Sequence, residues 1–362
     1  MAGQRLKRAS KKKLRYACIG AGGIAGAHLT PLSKREDVQI VALADPFPSK
    51  KQEYAEKFNI PAGGLYEDYE KMLKEVQPDA VSVCSPNGMH AQNTIAALKA
   101  GADVIIEKPM AATVKEAQAM VDLAEKLGRK LVIGFQYRFS PRVTFIKNAI
   151  DAGQLGNVLF GRVQALRRRG IPNWGVFGQK DKQGGGGLID IGVHVLEMCH
   201  YAMGEPTPVA ATGNCWTYLG NKKSNIVSAW PNWDHKTYTV EDLAIGSIRF
   251  DNGAIVHVEA GFVAQMEPMG VWNFQLMGEK GGVNYDPVTL SRDDLGHMVN
   301  TTPAWTPADG FGDNFNYKMN AFVEHVLHDQ PTIAPATAGL NIQKMLEGIY
   351  RSAQQGGKEV AI

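Results

Sequence analysis

Three side chains in this sequence have the types and placement that proton and charge transfer require: Lys108, Asp190 and His194. Asp190 and His194 stand four apart in GLIDIGVHVLEMCHYAMG, a spacing that puts a carboxylate and an imidazole on one helix face, within reach of each other or of one ligand. A lone histidine on an apolar helix is more often a packed core residue, and the spacing to Asp190 is what raises His194 above that. Lys108 closes the apolar run DVIIEKP, residues 103 to 109, so its stem is buried and its ammonium meets a cleft. Together they suit oxidation of an alcohol. A neutral imidazole takes the hydroxyl proton as hydride leaves carbon, Lys108 steadies the alkoxide, and Asp190 binds a neighbouring hydroxyl or orients the ring. His200 is expected to pack. An Asp-His pair could ligate zinc, but no third ligand stands at a recognisable spacing, and no metal is expected.

The elements that must position these groups begin with RYACIGAGGIAGAHL, residues 15 to 29: strand, tight turn, helix. Gly20 allows the turn, Gly22 lets backbone approach a pyrophosphate, and Ala25 fills the third small position. The helix-end amides, including those of Gly23 and Ile24, would hold phosphates. A G-x-G-x-x-A match is weak alone. The next strand, VQIVALAD at 38 to 45, ends on Asp45, where an acid accepts hydrogen bonds from the adenosine ribose and repels a 2′-phosphate. NAD is therefore favoured over NADP, with Lys50 and Lys51 softening the exclusion. A helix over 49 to 58, strand 79 to 86, helix 90 to 100, strand 103 to 109, helix 113 to 128 and strand 130 to 136 follow, the alternation of a doubly wound parallel sheet. Ligands sit beyond the carboxyl ends of such strands. Three of these ends carry chemistry: Ser85-Pro86-Asn87 with His90, Glu107-Lys108-Pro109, and Gln136-Tyr137-Arg138.

From about residue 157 the texture changes to longer alternating strands, at 157 to 166, 243 to 250 and 254 to 262, the last two joined by the turn Asp251-Asn252-Gly253. That predicts an α+β second domain with a large, mostly antiparallel open sheet. All six tryptophans lie in this half. Trp174 is the best candidate for a sugar face, because it sits in the long loop RRRGIPNWGVFGQKDKQGGGG that runs into the Asp190 helix, and long loops are more often functional lids than filler. Of the arginines that open this loop, Arg168 is taken to meet the substrate. A second aromatic loop, residues 228 to 238, could cover the site or a neighbouring subunit.

A chain of 362 residues suggests two domains and hence a cleft. The expected division is a basic N-terminal arm over 1 to 15, a dinucleotide-binding domain over 16 to 137 and a substrate-binding and oligomerisation domain over 138 to 362, whose last helix can pack back on the first. The arm's seven basic residues taken from the net charge of +3 leave −4, so a nucleic-acid-binding surface on the folded domains is not expected. The basic stretch and the apolar run after it imitate a signal peptide, but cleavage at Ala27 would destroy the glycine turn. No apolar run reaches the length of a membrane span. Cys18, Cys84, Cys199 and Cys215 form no C-x-x-C pair and read as reduced core thiols, so a cytoplasmic protein without membrane contact is expected.

Four features together resemble the glucose-fructose oxidoreductase and inositol dehydrogenase family, Gfo/Idh/MocA: the glycine turn, SPNGMH, E-K-P at 107 to 109, and GGGGLIDIGVH at 184 to 194. The likeness runs from about residue 15 to the end. It implies hydride exchange between nicotinamide and a secondary alcohol carbon of a sugar, polyol or glycoside. It further implies that Lys108 contacts substrate and nicotinamide ribose and that Asn87 and His90 border the nicotinamide. With the readings above, the residues expected at the cofactor are Gly20, Gly22, Gly23, Ile24, Asp45, Ser85, Pro86, Asn87, His90, Glu107, Lys108 and Gln136, and those expected at the substrate are Lys108, Tyr137, Arg168, Trp174, Asp190 and His194. Tyr137 and Arg138 stand where either could face substrate or brace the hinge. The family often dimerises or tetramerises through the outer face of the open sheet. Two rivals remain at this stage: a glycoside-cleaving hydrolase or lyase that holds NAD tightly for transient oxidation, and a non-catalytic NAD-binding sensor.

Overall fold

A computed structural model describes residues 13–362, so nearly all of the basic arm lies outside the described residues. The first half alternates β1 (Leu14–Ile19), α1 (Gly23–Leu32), β2 (Val38–Ala44), α2 (Pro48–Phe58), β3 (Leu65–Tyr66), α3 (Tyr69–Val76), β4 (Ala80–Val83), α4 (His90–Lys99), β5 (Asp103–Ile106), α5 (Val114–Leu127) and β6 (Leu131–Ile133). The strands pair in parallel in the order β3-β2-β1-β4-β5-β6. They are almost continuously apolar, as strands covered on both faces must be. The order reverses between β1 and β4, which opens a crevice at their carboxyl ends. Helix boundaries follow local chemistry: Thr113 and Glu116 form a capping box at the start of α5, and Gly128 at φ +60° ends it.

Three strands are shorter than their apolar runs suggest. The ladders stop at Val83, Ile106 and Ile133, whereas the runs extend to residues 86, 109 and 136. Glu107, Pro109 and Gln136 are nonetheless buried. Apolar patterning reports burial, and the tails after Ile106 and Ile133 stay largely buried after strand pairing has ended, whereas the tail after Val83 runs out to exposed Pro86.

The second half comprises α6 (Pro141–Asp151), β7 (Val158–Arg167), α7 (Lys180–Gln183), α8 (Val193–Ala202), β8 (Pro208–Trp216), β9 (Leu243–Phe250), β10 (Ile255–Gly261), β11 (Gly270–Gly278), β12 (Gly281–Asn284), β13 (Thr289–Asp294), β14 (His297–Thr301), α9 (Phe311–His328), α10 (Ala336–Gln354) and β15 (Val360–Ala361). Nine strands run β14-β13-β12-β11-β7-β10-β9-β8-β15, antiparallel except for the β7–β10 pair. The expected hairpin joins β9 to β10, with Gly253 at φ +86°. One sheet face packs on helices. The other is open: along β7, Val163 and Ala165 are buried while Phe160 and Arg162 are exposed.

The last two helices return to the first half. Arg35 at the end of α1 bonds Glu324 of α9 at 2.7 Å, and Val114 N of α5 donates to Glu347 of α10 at 2.7 Å. The most buried tie is Lys318 of α9, whose Nζ donates to Glu107 Oε1 at 2.6 Å. His28 Nε2 reaches the same oxygen at 2.8 Å, and its Nδ1 meets Ser82, which meets Tyr16. Burial alone would push Glu107 up, but the Lys318 ammonium and His28 hold it well below the usual carboxylate range. Its other oxygen accepts the Lys108 backbone N–H at 3.2 Å, so this cross-fold network ends on the residue of interest. Among the described residues no helix is long and apolar enough to cross a membrane.

Candidate active site

The glycine turn after β1 is shaped by its neighbours. Gly20 has φ +95°, and a Cβ there would stand 2.7 Å from the Cys84 carbonyl, so only glycine fits where β1 meets β4. Gly22 and Gly23 differ: a Cβ on either would meet nothing within 4 Å. Their smallness leaves open space in front of the turn, as a pyrophosphate cradle needs. The amides of Gly23 and Ile24 open α1, with no preceding turn to bond them. Asp45, just past β2, accepts Ala21 N at 2.7 Å and Phe47 N at 2.8 Å through different oxygens. Each oxygen keeps a lone pair for a ribose hydroxyl. Gln136, past β6, is buried, and its Oε1 has no partner among the described residues. The residues present therefore fit a dinucleotide lying across the strand ends.

At the far end of this groove, Lys108 crosses to the other half. Its Nζ donates to the Asp190 carbonyl at 2.8 Å and to Asp190 Oδ1 at 3.0 Å. An ammonium has three N–H donors, so one remains for a ligand oxygen. Asp190 lies in a π-helical turn, Leu188–Gly192, which leads directly into α8. Its carboxylate thus engages Lys108, and no hydrogen bond joins it to the His194 ring. His194 is held by packing instead, with Tyr137 edge-on at 5.2 Å and Trp272 at 5.7 Å. Its Nδ1 is buried without a partner, which leaves Nε2 as the nitrogen able to meet a ligand. Burial, reinforced by the Lys108 charge, pushes the imidazole well below its ordinary value, so the ring is neutral at neutral pH.

The glycine run before Asp190 is packing, not slack. A Cβ at Gly185 would meet the Tyr350 hydroxyl at 2.2 Å, at Gly186 the Glu241 carbonyl at 2.2 Å, and at Gly187 the Gly261 Cα at 2.6 Å. Buried Glu241 fixes the run by accepting Gly186 N at 2.8 Å, Leu188 N at 3.0 Å and the Tyr350 hydroxyl at 2.8 Å. Asp190 is thereby set on a rigid element. The loop ahead of the run folds over aromatic neighbours: Trp174 is exposed, meets Trp230 edge-on at 4.9 Å, and lines a cavity of about 60 Å³ with Ile171, Phe177, Trp233 and Tyr238.

The structure gathers most of the expected site residues and sorts others by role. His90 is buried, with Nδ1 2.8 Å from the Pro109 carbonyl and Nε2 2.9 Å from the Ser85 carbonyl, so it ties two strand ends together from behind. Ser85 Oγ accepts from Asn93 at 2.8 Å, and Asn87 Nδ2 donates to the Gln183 carbonyl at 3.2 Å; Pro86 is exposed. Tyr137 faces His194, whereas Arg138 is fully buried, pairs with Glu197 at 2.8 Å and braces the hinge. His200 packs as expected, stacked on Phe250. Arg168 is exposed and turned to the Glu267 carbonyl; Arg167 is the arginine within electrostatic reach of Asp190. Sequence reasoning did not single out Trp272, Glu241, Lys318 or His28. For Arg167 a signal existed, since strand alternation puts it on the same face as buried Val163 and Ala165.

Residues 14–135 match the oxidoreductase family, NAD-binding Rossmann fold, and residues 147–362 match its C-terminal alpha/beta domain; the chain belongs to this Gfo/Idh/MocA family. It is 37% identical over 345 residues to the D-glucoside 3-dehydrogenase of Escherichia coli (strain K12), spanning 95% of this chain and 96% of that one. The levoglucosan dehydrogenase of Pseudarthrobacter phenanthrenivorans is 30% identical over 271 residues, 70% of this chain and 66% of the relative. Among solved structures, an aldose-aldose oxidoreductase from Caulobacter crescentus has a TM-score of 0.78 at 26% identity, with 97% of this chain and 100% of that chain covered. The cofactor of the first half is a nicotinamide dinucleotide.

The buried imidazole generates a pH prediction. A base must be neutral to act, and His194 gains its proton only below its lowered value. The acid limb of kcat/KM for alcohol oxidation should fall below pH 6.5, the ordinary histidine value, and should vanish in His194→Asn. A wild-type limb at or above 6.5, or one unchanged in the variant, would count against this role.

Proposed function

We propose that this protein is an NAD-dependent dehydrogenase acting on a secondary alcohol carbon of a sugar or glycoside, with a nucleotide-binding half over residues 16 to 137 and a substrate-binding half over 138 to 362. The observation that carries the reading is the Lys108–Asp190 bridge, which joins the end of β5 to the turn before α8 within electrostatic reach of the neutral His194 imidazole. A bound nicotinamide would accept or return the hydride. In the oxidising direction His194 Nε2 takes the hydroxyl proton, and the third N–H of Lys108 meets the oxygen as negative charge grows on it. Asp190 keeps that ammonium aimed, and its free oxygen can accept from a neighbouring hydroxyl. In reverse, the same groups return the proton.

Both named relatives are sugar dehydrogenases, and neither is a glycoside-cleaving enzyme, which favours hydride transfer over the cleavage reading. Polyols of the inositol type stay within the same chemistry. Asp45 supports NAD over NADP, since its carboxylate would face the added phosphate of NADP. The open sheet face supports a homo-oligomer: Phe160, Ile255 and Met277 are exposed and are cross-strand neighbours. The four free thiols suit the reducing cytoplasm.

Three measurements test these readings. With NAD and a panel of methyl glycosides, the wild type should produce NADH and a keto sugar. Lys108→Met and His194→Asn should still fold and bind NADH but lose turnover by about 10²- to 10⁴-fold. Cleavage without net reduction, or tight NADH binding with no turnover, would oppose the dehydrogenase reading. Asp45→Ser should narrow the preference for NAD over NADP by about tenfold or more, and an unchanged ratio would remove Asp45 from cofactor selection. Light scattering should give a multiple of the 39.4 kDa chain mass, reduced by Phe160→Asp; a wild-type monomer at high concentration would refute the oligomer.

A further inference from the structure

The loop leaving β7 begins with three arginines, and the fold treats them differently. Arg168 is exposed and donates to the Glu267 carbonyl at 3.2 Å. Arg169 bonds the Arg168 carbonyl at 2.9 Å, and its Nε is sealed without a partner. Arg167 is on the inward-facing parity of β7 and folds over Gly170, donating to its carbonyl at 3.0 Å. Residue 170 must be small for this, because a Cβ there would stand 2.3 Å from Arg167 Cδ.

The guanidinium of Arg167 then lies 4.8 Å from the Trp230 ring centroid and 5.7 Å from that of Phe262. Trp230 in turn meets Trp174, so one cation supports both aromatic loops. A guanidinium has five N–H donors, and among the described residues only the Gly170 carbonyl takes one. Unlike Arg169 Nε, none of the Arg167 nitrogens is buried and orphaned, so its spare donors stay accessible beside the Trp230 ring. The Asp190 carboxylate acts on Arg167 through space, and Arg167 acts on His194, yet no carboxylate among the described residues pairs with it. Asp190 gives its near oxygen to Lys108. A second cation, with planar donors and no paired carboxylate among the described residues, therefore stands within electrostatic reach of Asp190 and His194.

We infer that Arg167 is a specificity-determining residue, whose guanidinium holds an oxygen substituent of the sugar remote from the carbon being oxidised. The inference rests on the dehydrogenase reading above. Lys108 and His194 attend the oxygen that changes charge; Arg167 attends one that does not. Its contact fixes which carbon faces the hydride acceptor, and the Trp174–Trp230 pair beside it supplies a surface for sugar C–H groups. The recognised chemistry is an oxygen acceptor, whether a hydroxyl or the oxygen pair of a carboxylate or phosphate, which a guanidinium fork grips at two points.

The test is NAD-linked oxidation of methyl β-glucoside, its singly deoxygenated derivatives, its 6-carboxylate and glucose 6-phosphate by the wild type, Arg167→Met and Arg167→Lys. Arg167→Met should lose kcat/KM by about 10- to 100-fold on sugars bearing the recognised oxygen and show no further loss on the sugar lacking it, with partial rescue in Arg167→Lys. A loss confined to the carboxylate and phosphate arms assigns an anionic group, and a loss cancelled by one deoxy sugar assigns a hydroxyl. Wild-type turnover with Arg167→Met unaffected, or slowed equally on every sugar, overturns the inference and leaves the dehydrogenase standing. Absence of turnover by the wild type on any sugar removes both.

Discussion

The proposed active cleft depends on one bridge between the halves of the chain, Lys108 to Asp190. The two residues are separated by 82 positions, one at the end of a parallel strand and the other in the turn before a helix of the opposite half. Each side chain keeps about one seventh of its surface exposed, 14% and 15%. An exposed ion pair returns about 0–1 kcal/mol, and a sheltered one must first offset the loss of water from both charges. Stability is therefore a poor explanation for this pair. Its consequence is positional: the ammonium is aimed across the groove, beside a neutral imidazole, with one donor uncommitted.

Both ends of the bridge are anchored from behind. On the first side, Glu107 receives the Lys108 backbone N–H and is itself fixed by Lys318 and His28, so a helix near the C terminus helps set the strand end. On the second side, Glu241 and the Tyr350 hydroxyl hold the glycine run that leads to Asp190. Three consecutive glycines are needed there because the backbone lies against Tyr350, Glu241 and Gly261 with no room for a Cβ. A segment that reads as loose in composition is among the tightest in the fold. Its rigidity keeps the carboxylate from following the lysine if the ligand pulls on it.

Legibility in the sequence followed locality. The turn at Gly20 to Ala25, the acid at Asp45 and the strand ends are each defined within a few residues, and the alternation of short apolar runs with helices specified the parallel sheet. The Asp190–His194 spacing was legible too, but the partner of Asp190 was not. The helix relation brings two residues to one face, whereas the choice between His194 and Lys108 is made by the packing of one half on the other. The same holds for Lys318, His28 and Glu241, single polar residues whose role appears only when distant elements meet. Strand boundaries were overrun because the apolar pattern continues beyond Val83, Ile106 and Ile133, where strand pairing has already ended. Strand parity puts Arg167 on the inward side with Val163 and Ala165, a signal easily lost where a strand becomes a loop.

The central claim is that an amine from one half and an imidazole from the other act on the same substrate oxygen. The most direct test is a crystal structure with a nicotinamide dinucleotide and an oxidisable sugar bound together. The account predicts Lys108 Nζ and His194 Nε2 both within hydrogen-bond distance of one sugar oxygen, on the carbon that faces the nicotinamide ring. A sugar oxygen reached by only one of them, or the two side chains opening into separate cavities, would contradict it.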